Sequence, residues 1–467
     1  MQRLSGLDAS FLYLETASQP LHVCSILELD TSTVPGGYTF DHLRDGLELR
    51  IKAMPEFRER IADNRFNLDH PVWLEDNDFD VDRHLHRIGL PSPGGRNELA
   101  EICGHIASLP LDRSRPLWEM WVIENVCGTS DETARAGGRI AVLTKVHHAA
   151  VDGVTGANLM SKLCTTEAEA PAPDPVDGPG GGSDLEIAVS GAVRFATRPL
   201  NLVNVVPNTL STVIDTVKRA RTGQAMAPPF TAPKTVFNAN VTGRRNIAFA
   251  QLDLDDVKTV KNHFGVKVND VVMALVSGVL RTFLAERGQL PDNSLVAMVP
   301  VSVHERSDRP GRNQVSGMFA KLETSIEDPV ERLKAIASAN SVAKQHSSAI
   351  PATLLQDWTQ FAAPAVFGAA MRVYASSRLS GARPVHNLVV SNVPGPQGPL
   401  YMLGCEVKAM YPLGPIFHGS GLNVTVMSLS GNLDIGIVSC PELVPDLWDL
   451  ADAFDLAMKE LLAAAKE

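Results

Sequence analysis

Apolar residues in this chain fall into short β-branched runs that alternate with longer stretches of helical period. Ile140-Ala141-Val142-Leu143-Thr144-Lys145-Val146 is apolar nearly throughout, the pattern of a buried strand. A glycine turn follows it, and Thr155 then caps a helix through Leu159, Met160 and Leu163. Farther on, Asn269 or Asp270 caps a helix running from Val271 to Glu286, which Gly288 closes. That helix is apolar nearly all round and is therefore expected to be buried. Leu295 to Val303 and Leu388 to Ser391 read as strands, and Leu422–Leu429 and Leu433–Val438 flank Ser430-Gly431-Asn432 as a hairpin. The last helix sets Leu447, Leu450, Phe454, Met458 and Leu461 on one face. Strands alternate with helices in both halves, which gives an α/β chain with two sheet domains.

One stretch has almost nothing to bury. Thr165 to Ser183 is rich in Pro, Gly, Ala and acid, so it reads as a linker. Next comes Leu185 to Gly223, apolar at helix-like spacing and interrupted by Pro199 and Pro207. It carries Arg194, Arg198, Lys218, Arg219 and Arg221. The expected division is 1–164 as an N-terminal domain, 165–245 as linker and crossover, and 246–467 as a C-terminal domain.

Charge narrows the function classes. Asp and Glu number 53 against 42 Lys and Arg, a net charge of −11. Nucleic-acid affinity comes mainly from basic side chains on phosphate, so no nucleic-acid partner is expected. Hydrophobic residues at 44% against 20% charged exclude an extended disordered chain. Cys24, Cys103, Cys127, Cys164, Cys405 and Cys440 contain no C-x-x-C pair, and they read as reduced thiols, mostly buried. Met1 to Asp8 lacks the basic start and apolar core of a signal peptide. The charge-free run from Ala409 to Leu433 is broken by Pro412, Gly414, Pro415, Gly419 and Gly421. Nothing else approaches the roughly 18 apolar residues of a membrane span. A cytoplasmic protein is expected, soluble or peripheral at a membrane or lipid-body surface.

The chemistry is concentrated at the end of the Ile140–Val146 strand, in His147-His148-Ala149-Ala150-Val151-Asp152-Gly153. A strand end is a rigid support for a catalytic group, and imidazole titrates near neutrality, so it can take a proton from a hydroxyl. Neighbouring strand side chains point to opposite faces. His147 and His148 therefore have different tasks, and no metal site is expected from the pair. Asp152 either orients an imidazole or holds the turn through an arginine, with Arg113, Arg306, Arg378 and Arg383 as candidates. Gly153 permits a backbone shape closed to other residues.

The pattern HHxxxDG between a buried strand and a helix resembles the active-site motif of the coenzyme A-dependent acyltransferase superfamily. The chain is most similar to the bacterial wax ester synthase/acyl-CoA:diacylglycerol acyltransferase family. Pro116-Leu117-Trp118 resembles that family's PLW element, Asn269-Asp270 its ND element, and Ser391-Asn392-Val393-Pro394-Gly395-Pro396 its NVPGP element. Leu7-Asp8-Ala9-Ser10-Phe11 is similar to its N-terminus. The resemblance covers essentially the whole chain.

It implies two chloramphenicol-acetyltransferase-like domains, each a mixed sheet flanked by helices, with a channel between them. It implies acyl transfer from acyl-CoA to diacylglycerol or a long-chain alcohol, with His148 as general base and no covalent acyl-enzyme. Coenzyme A is then part of a substrate, and no separate cofactor or metal is called for. Pro116, Leu117, Trp118, Asn269, Asp270, Ser391, Asn392, Pro394 and Gly395 become candidate channel residues, with Ser391 or Asn392 as hydrogen-bond donors. Two other readings stand beside this one: a condensation-type protein using carrier-bound acyl groups, and a non-catalytic lipid-body or acyl-CoA-binding protein.

Overall fold

Two sheets organise the chain. The computed structural model describes residues 2–62, 69–127, 138–151, 162–178, 180, 185–193, 227, 231–302, 315–349 and 384–466. The first part contains β1 (Gln2–Arg3), α1 (Gly6–Leu14), β2 (His22–Asp30), α2 (Phe40–Lys52), β3 (Glu59–Ala62) and β4 (Val72–Glu75). It continues with β5 (Leu85–Gly89), α3 (Arg96–Ser108), β6 (Trp118–Glu124), β7 (Arg139–His147) and β8 (Cys164–Thr165). After a short helix at 185–193 come β9 (Asn246–Asp253), α4 (Leu254–Phe264), α5 (Val268–Glu286), β10 (Val296–Ser302), β11 (Val315–Lys321) and α6 (Pro329–Ala349). The chain ends with β12 (Leu388–Val393), β13 (Tyr401–Met402), β14 (Cys405–Leu413), β15 (Leu422–Leu429), β16 (Asn432–Ser439) and α7 (Leu447–Lys466).

The larger sheet has seven strands in the order β5-β6-β7-β2-β14-β13-β8, and the second has six in the order β11-β10-β12-β15-β16-β9. Both are mixed: β5–β6, β10–β12 and β12–β15 are parallel, while β2–β7 and β15–β16 are antiparallel. β13 and β14 come from the C-terminal part of the sequence yet complete the first sheet. The β15–β16 hairpin turns through Ser430 at φ 45° and Gly431 at φ 87°, the left-handed pair that a two-residue turn requires.

β14 also holds the sheets together. A Cβ on Gly436 of β16 would run into the carbonyl of Pro412 on β14, so only glycine allows this approach. Nearby, β14 and β2 change register between Val407 and Ala409, and the Met410 N–H donates across to Asp434 Oδ2 at 2.7 Å. Gln251 Nε2 donates to Asp434 Oδ1 at 2.8 Å. Burial, with the charge of Glu28 adding, pushes the Asp434 carboxyl up to about 7. Its folded value lies above the roughly 3.9 of an unfolded aspartate. The stability it contributes is therefore complete below about pH 4 and is lost as pH rises toward 7. The stability gap between wild type and Asp434→Asn should narrow across that window in urea titrations. A gap that is constant from pH 4 to 7 would contradict the assignment.

α5 sits in the second core, where Val271, Val272, Met273, Leu275, Val276 and Leu280 are each at most 1% exposed. Burial of such a side chain stabilises by about 1.5–3 kcal/mol. By length and composition α5 could cross a membrane, contrary to the expectation that no further segment comes near that length. Here its apolar surface is covered by the protein's own sheet and helices. The helix starts at Val268, three residues before the expected Val271. Its cap residue is Lys267, and Asp270 occupies the third helical position, where its carboxylate accepts from the Lys267 N–H at 3.0 Å. Gly288, at φ 63°, lies just beyond the end of the helix.

The described part of the linker is pinned to the first domain. Arg50 Nη2 donates to Ala170 O at 3.3 Å, Arg58 Nη2 donates to Val176 O at 2.6 Å, and the Val176 N–H donates to Lys52 O at 3.0 Å. Five of the six thiols are buried, Cys127 is exposed, and all six are free. Thr155 and its helix start lie outside the described residues, as do residues 194–226.

Candidate active site

The site is built where β7 ends against α1. A reciprocal cap fixes the start of α1: Ser5 Oγ accepts from the Asp8 N–H at 3.1 Å, and the Asp8 carboxylate accepts from the Ser5 N–H at 3.2 Å. One turn apart on this helix and its C-terminal cap stand Phe11 and Glu15. β7 runs one residue farther than the sequence suggests, so His147 is its last residue and His148 the first of the turn.

Backbone bonds lock the two histidines. The His147 N–H donates to Leu117 O at 3.0 Å, the His148 N–H to Leu21 O at 2.9 Å, and the Ala150 N–H to His147 O at 2.9 Å. The side chains then part, as strand alternation requires. His147 is fully buried, whereas His148 is half-buried and stacks on Phe11, with ring centroids 3.9 Å apart and planes at 15°.

His147 belongs to a buried polar cluster. Its Nδ1 accepts from the Ala149 N–H at 3.0 Å, which leaves the ring proton on Nε2, 3.4 Å from Glu15 Oε2. The β2–β7 register sets His22 directly opposite His147, and His22 Nε2 lies 3.3 Å from Glu15 Oε1. Arg113 Nη2 donates to Glu15 Oε2 at 2.6 Å and to Leu12 O at 3.0 Å, and the Leu21 N–H donates to Glu15 Oε1 at 3.1 Å. Burial alone would raise the Glu15 carboxyl. The contacts of His147, His22 and Arg113 outweigh it and hold the group well below the usual carboxylate range. Burial lowers the His147 pKa, with Glu15 opposing, so the ring is held neutral.

Pro116, Leu117 and Trp118 lie beside this turn. Leu117 supplies the carbonyl that holds His147, and it packs in one cluster with Leu12, Trp73 and Ala149. Trp118 is 3% exposed. Its Nε1 donates to Phe57 O at 2.8 Å, and its ring stacks on His84 at 4.5 Å. A largely apolar pocket opens next to the motif, lined by Phe57, Trp73, Leu117, Trp118, Val146, Ala150 and Val151, with Glu56 and Glu59 among its lining residues.

The C-terminal elements form a second group. Asn392 Nδ2 lies 3.5 Å from Asn269 Oδ1, so the ND and NVPGP segments meet. Asp270 Oδ1 accepts from Asn340 Nδ2 at 2.9 Å, which commits its carboxylate to the start of α5 and to α6. Ser391 and Asn392 are half-buried near the end of β12, and Pro394 is exposed. Gly395 is needed because a Cβ there would strike the Ser428 carbonyl. Val393 packs on the same core cluster as Val151, Trp118 and Met427, so this loop and the histidine turn share one apolar core.

Asp152 and Gly153 lie outside the described residues, as do Arg306, Arg378 and Arg383. Arg113 is described, and it donates to Glu15 and to the Leu12 carbonyl. Sequence reasoning gave no role to Phe11, Glu15 or His22. The available signal was a lone glutamate closing an apolar helix, ahead of a strand that opens on histidine. Among the described residues no group of three or more His, Cys, Asp or Glu is placed to hold a metal.

Comparison with known proteins gives the family. Residues 4–272 match the wax ester synthase/diacylglycerol acyltransferase catalytic domain, and residues 312–462 match the C-terminal domain of the same family. A Mycobacterium tuberculosis protein named a putative diacylglycerol O-acyltransferase is 57% identical over 467 residues, covering 100% of this chain and 91% of the relative. Another from that organism, named a probable diacylglycerol O-acyltransferase, is 34% identical and covers 97% of each chain. The solved wax ester synthase/diacylglycerol acyltransferase of Marinobacter aquaeolei VT8 superimposes with a TM-score of 0.71 at 27% identity, covering 100% of both chains. A condensation domain of the calcium-dependent antibiotic synthetase, at TM-score 0.60 and 16% identity, shares the fold. With family models matching in both halves and a relative identical at more than half its positions, the chain belongs to the wax ester synthase/diacylglycerol acyltransferase family of acyltransferases.

Proposed function

We propose that this acyltransferase moves a long-chain acyl group from acyl-CoA to the hydroxyl of diacylglycerol or of a long-chain alcohol, with His148 as general base. One observation carries the reading. His148 is half-buried at a strand end, stacked on one side, while its neighbour His147 is buried and neutral in a cluster around Glu15. The hydroxyl proton passes to the His148 imidazole as the oxygen attacks the thioester carbonyl. The carbon–sulfur bond then breaks, the ester is released, and the imidazolium returns its proton to the coenzyme A thiolate. The apolar side chains beside the motif, Trp118 and Val151 among them, offer surface that an acyl chain would contact. Fixing both substrates beside His148 supplies on the order of 7–11 kcal/mol of the barrier.

We also place the enzyme at a lipid surface on the cytoplasmic side. Leu185, Val189 and Val193 are exposed at four-residue spacing on the helix at 185–193, and Arg194 and Arg198 follow in sequence, a composition suited to an anionic interface.

The reading is tested by release of free coenzyme A from palmitoyl-CoA, with dioleoylglycerol, hexadecanol or no acceptor. Release that depends on an acceptor is expected, and the acceptor giving the higher rate names the activity. Release only when an acyl-carrier protein is the donor would move the assignment to carrier-bound substrates.

A further inference from the structure

We propose that Phe11 is a positioning residue for His148. Stacked on the imidazole, its ring holds the base in one plane and stabilises the imidazolium that forms as the acceptor hydroxyl gives up its proton. The proposal rests on the acyl-transfer reading above and assigns to that site a residue from α1.

The geometry is specific. The two rings are nearly parallel, at 15°, with centroids 3.9 Å apart, so the whole face of the imidazole on that side is covered. Rotation of the imidazole about its own axis would break this contact. Both sides of the contact are anchored. The backbone N–H of His148 is bonded to Leu21 O. Phe11 lies between the capped start of α1 and the Glu15 cluster at its end, and the Glu15 N–H donates to Phe11 O at 3.1 Å. Phe11 also packs against the cluster containing Leu117 and Ala149, which fixes its ring relative to the turn that carries the base. An aromatic face attracts a cation, so the ring favours the protonated base, the species present in the transition state. Phe11 and Glu15 are four residues apart and lie on one side of α1. One helix therefore clamps both histidines, Phe11 holding His148 and Glu15 holding His147.

A residue that only filled space would tolerate leucine or methionine. The test compares full-length wild type with Phe11→Leu, Phe11→Met and Phe11→Tyr. Imidazole proton shifts of His148 are read by NMR on histidine-labelled protein and assigned through His148→Ala. The stack should move these signals upfield in wild type and Phe11→Tyr, and the displacement should vanish in Phe11→Leu and Phe11→Met. With palmitoyl-CoA and dioleoylglycerol, kcat should fall about tenfold or more in the leucine and methionine variants, with KM for palmitoyl-CoA within about twofold. Phe11→Tyr should keep kcat within about threefold. Two apolar variants are used so that a folded one is available, as judged by the urea midpoint. Loss of the upfield displacement with kcat retained overturns the positioning role, as does a kcat loss that tyrosine does not rescue. A wild type that shows the displacement but transfers no acyl group to any acceptor overturns the acyl-transfer reading, and the positioning role falls with it.

Discussion

Replacing His148 by alanine is expected to lower kcat for acyl transfer by about 100- to 10,000-fold, the range that a positioned general base supplies. KM for the acyl donor should change little, because the imidazole acts on the proton of the acceptor and not on the coenzyme A portion. The fold should survive. His148 is half-buried, and the bond that anchors the turn is made by its backbone N–H to Leu21 O, which alanine retains. A urea midpoint near that of wild type, together with the loss of turnover, separates a chemical role from a structural one. His148→Ala that keeps more than about a tenth of wild-type kcat would place the proton transfer elsewhere.

Glu15→Gln should produce the second large effect, and a different one. The wild-type carboxylate accepts from Arg113 and from the Leu21 N–H, and it faces His147 and His22. Glutamine keeps the size but offers one acceptor oxygen, and its amide turns donors toward donors. An unsatisfied buried donor costs about 1–3 kcal/mol. Arg113 is 44% exposed and can reach water, which places the expected loss near the middle of that range, about 2 kcal/mol. The urea midpoint reads it directly.

The pH dependence follows with a definite sign. The folded pKa of Glu15 is depressed below its unfolded value of about 4.3. Its contribution is therefore present above that pH and is lost as pH falls through the folded value. The stability difference between wild type and Glu15→Gln should be flat above about pH 6.5 and should shrink below about 4. Below about pH 6.5 the lowered pKa of His147 withdraws stability from both proteins, and more from the variant, where no carboxylate opposes the lowering. A difference that still grows below about pH 4 would contradict the description of Glu15 as a buried carboxylate. kcat should fall as well, because the same cluster holds the strand end from which His148 projects.

Strands were legible where β-branched runs are dense. β7, β10, β12 and the β15–β16 hairpin lie within two residues of the positions that patterning gives. α7 buries Leu447, Leu450, Phe454, Met458 and Leu461, the face its periodicity marks. The histidine pair was legible because its chemistry is local, a strand end followed by a polar turn. The Glu15 cluster was not. Its members come from the end of α1, the start of β2, the segment before β6 and the end of β7. Each is an ordinary polar residue until the β2–β7 register and the packing of α1 bring them together. Asp270 looked like a helix cap and is one residue type in two jobs, closing the first turn of α5 and holding Asn340 of α6. β14 was hidden in another way. Ala409 to Leu413 reads as part of an interrupted apolar run, and nothing local shows that it completes the sheet built from the other half of the chain.

The most direct measurement follows labelled acyl groups from palmitoyl-CoA into dioleoylglycerol, with purified wild type and His148→Ala in parallel. The account predicts labelled triacylglycerol in a one-to-one ratio with released coenzyme A for the wild type, and none above background for the variant. Coenzyme A released without triacylglycerol, or equal triacylglycerol from both proteins, would contradict it.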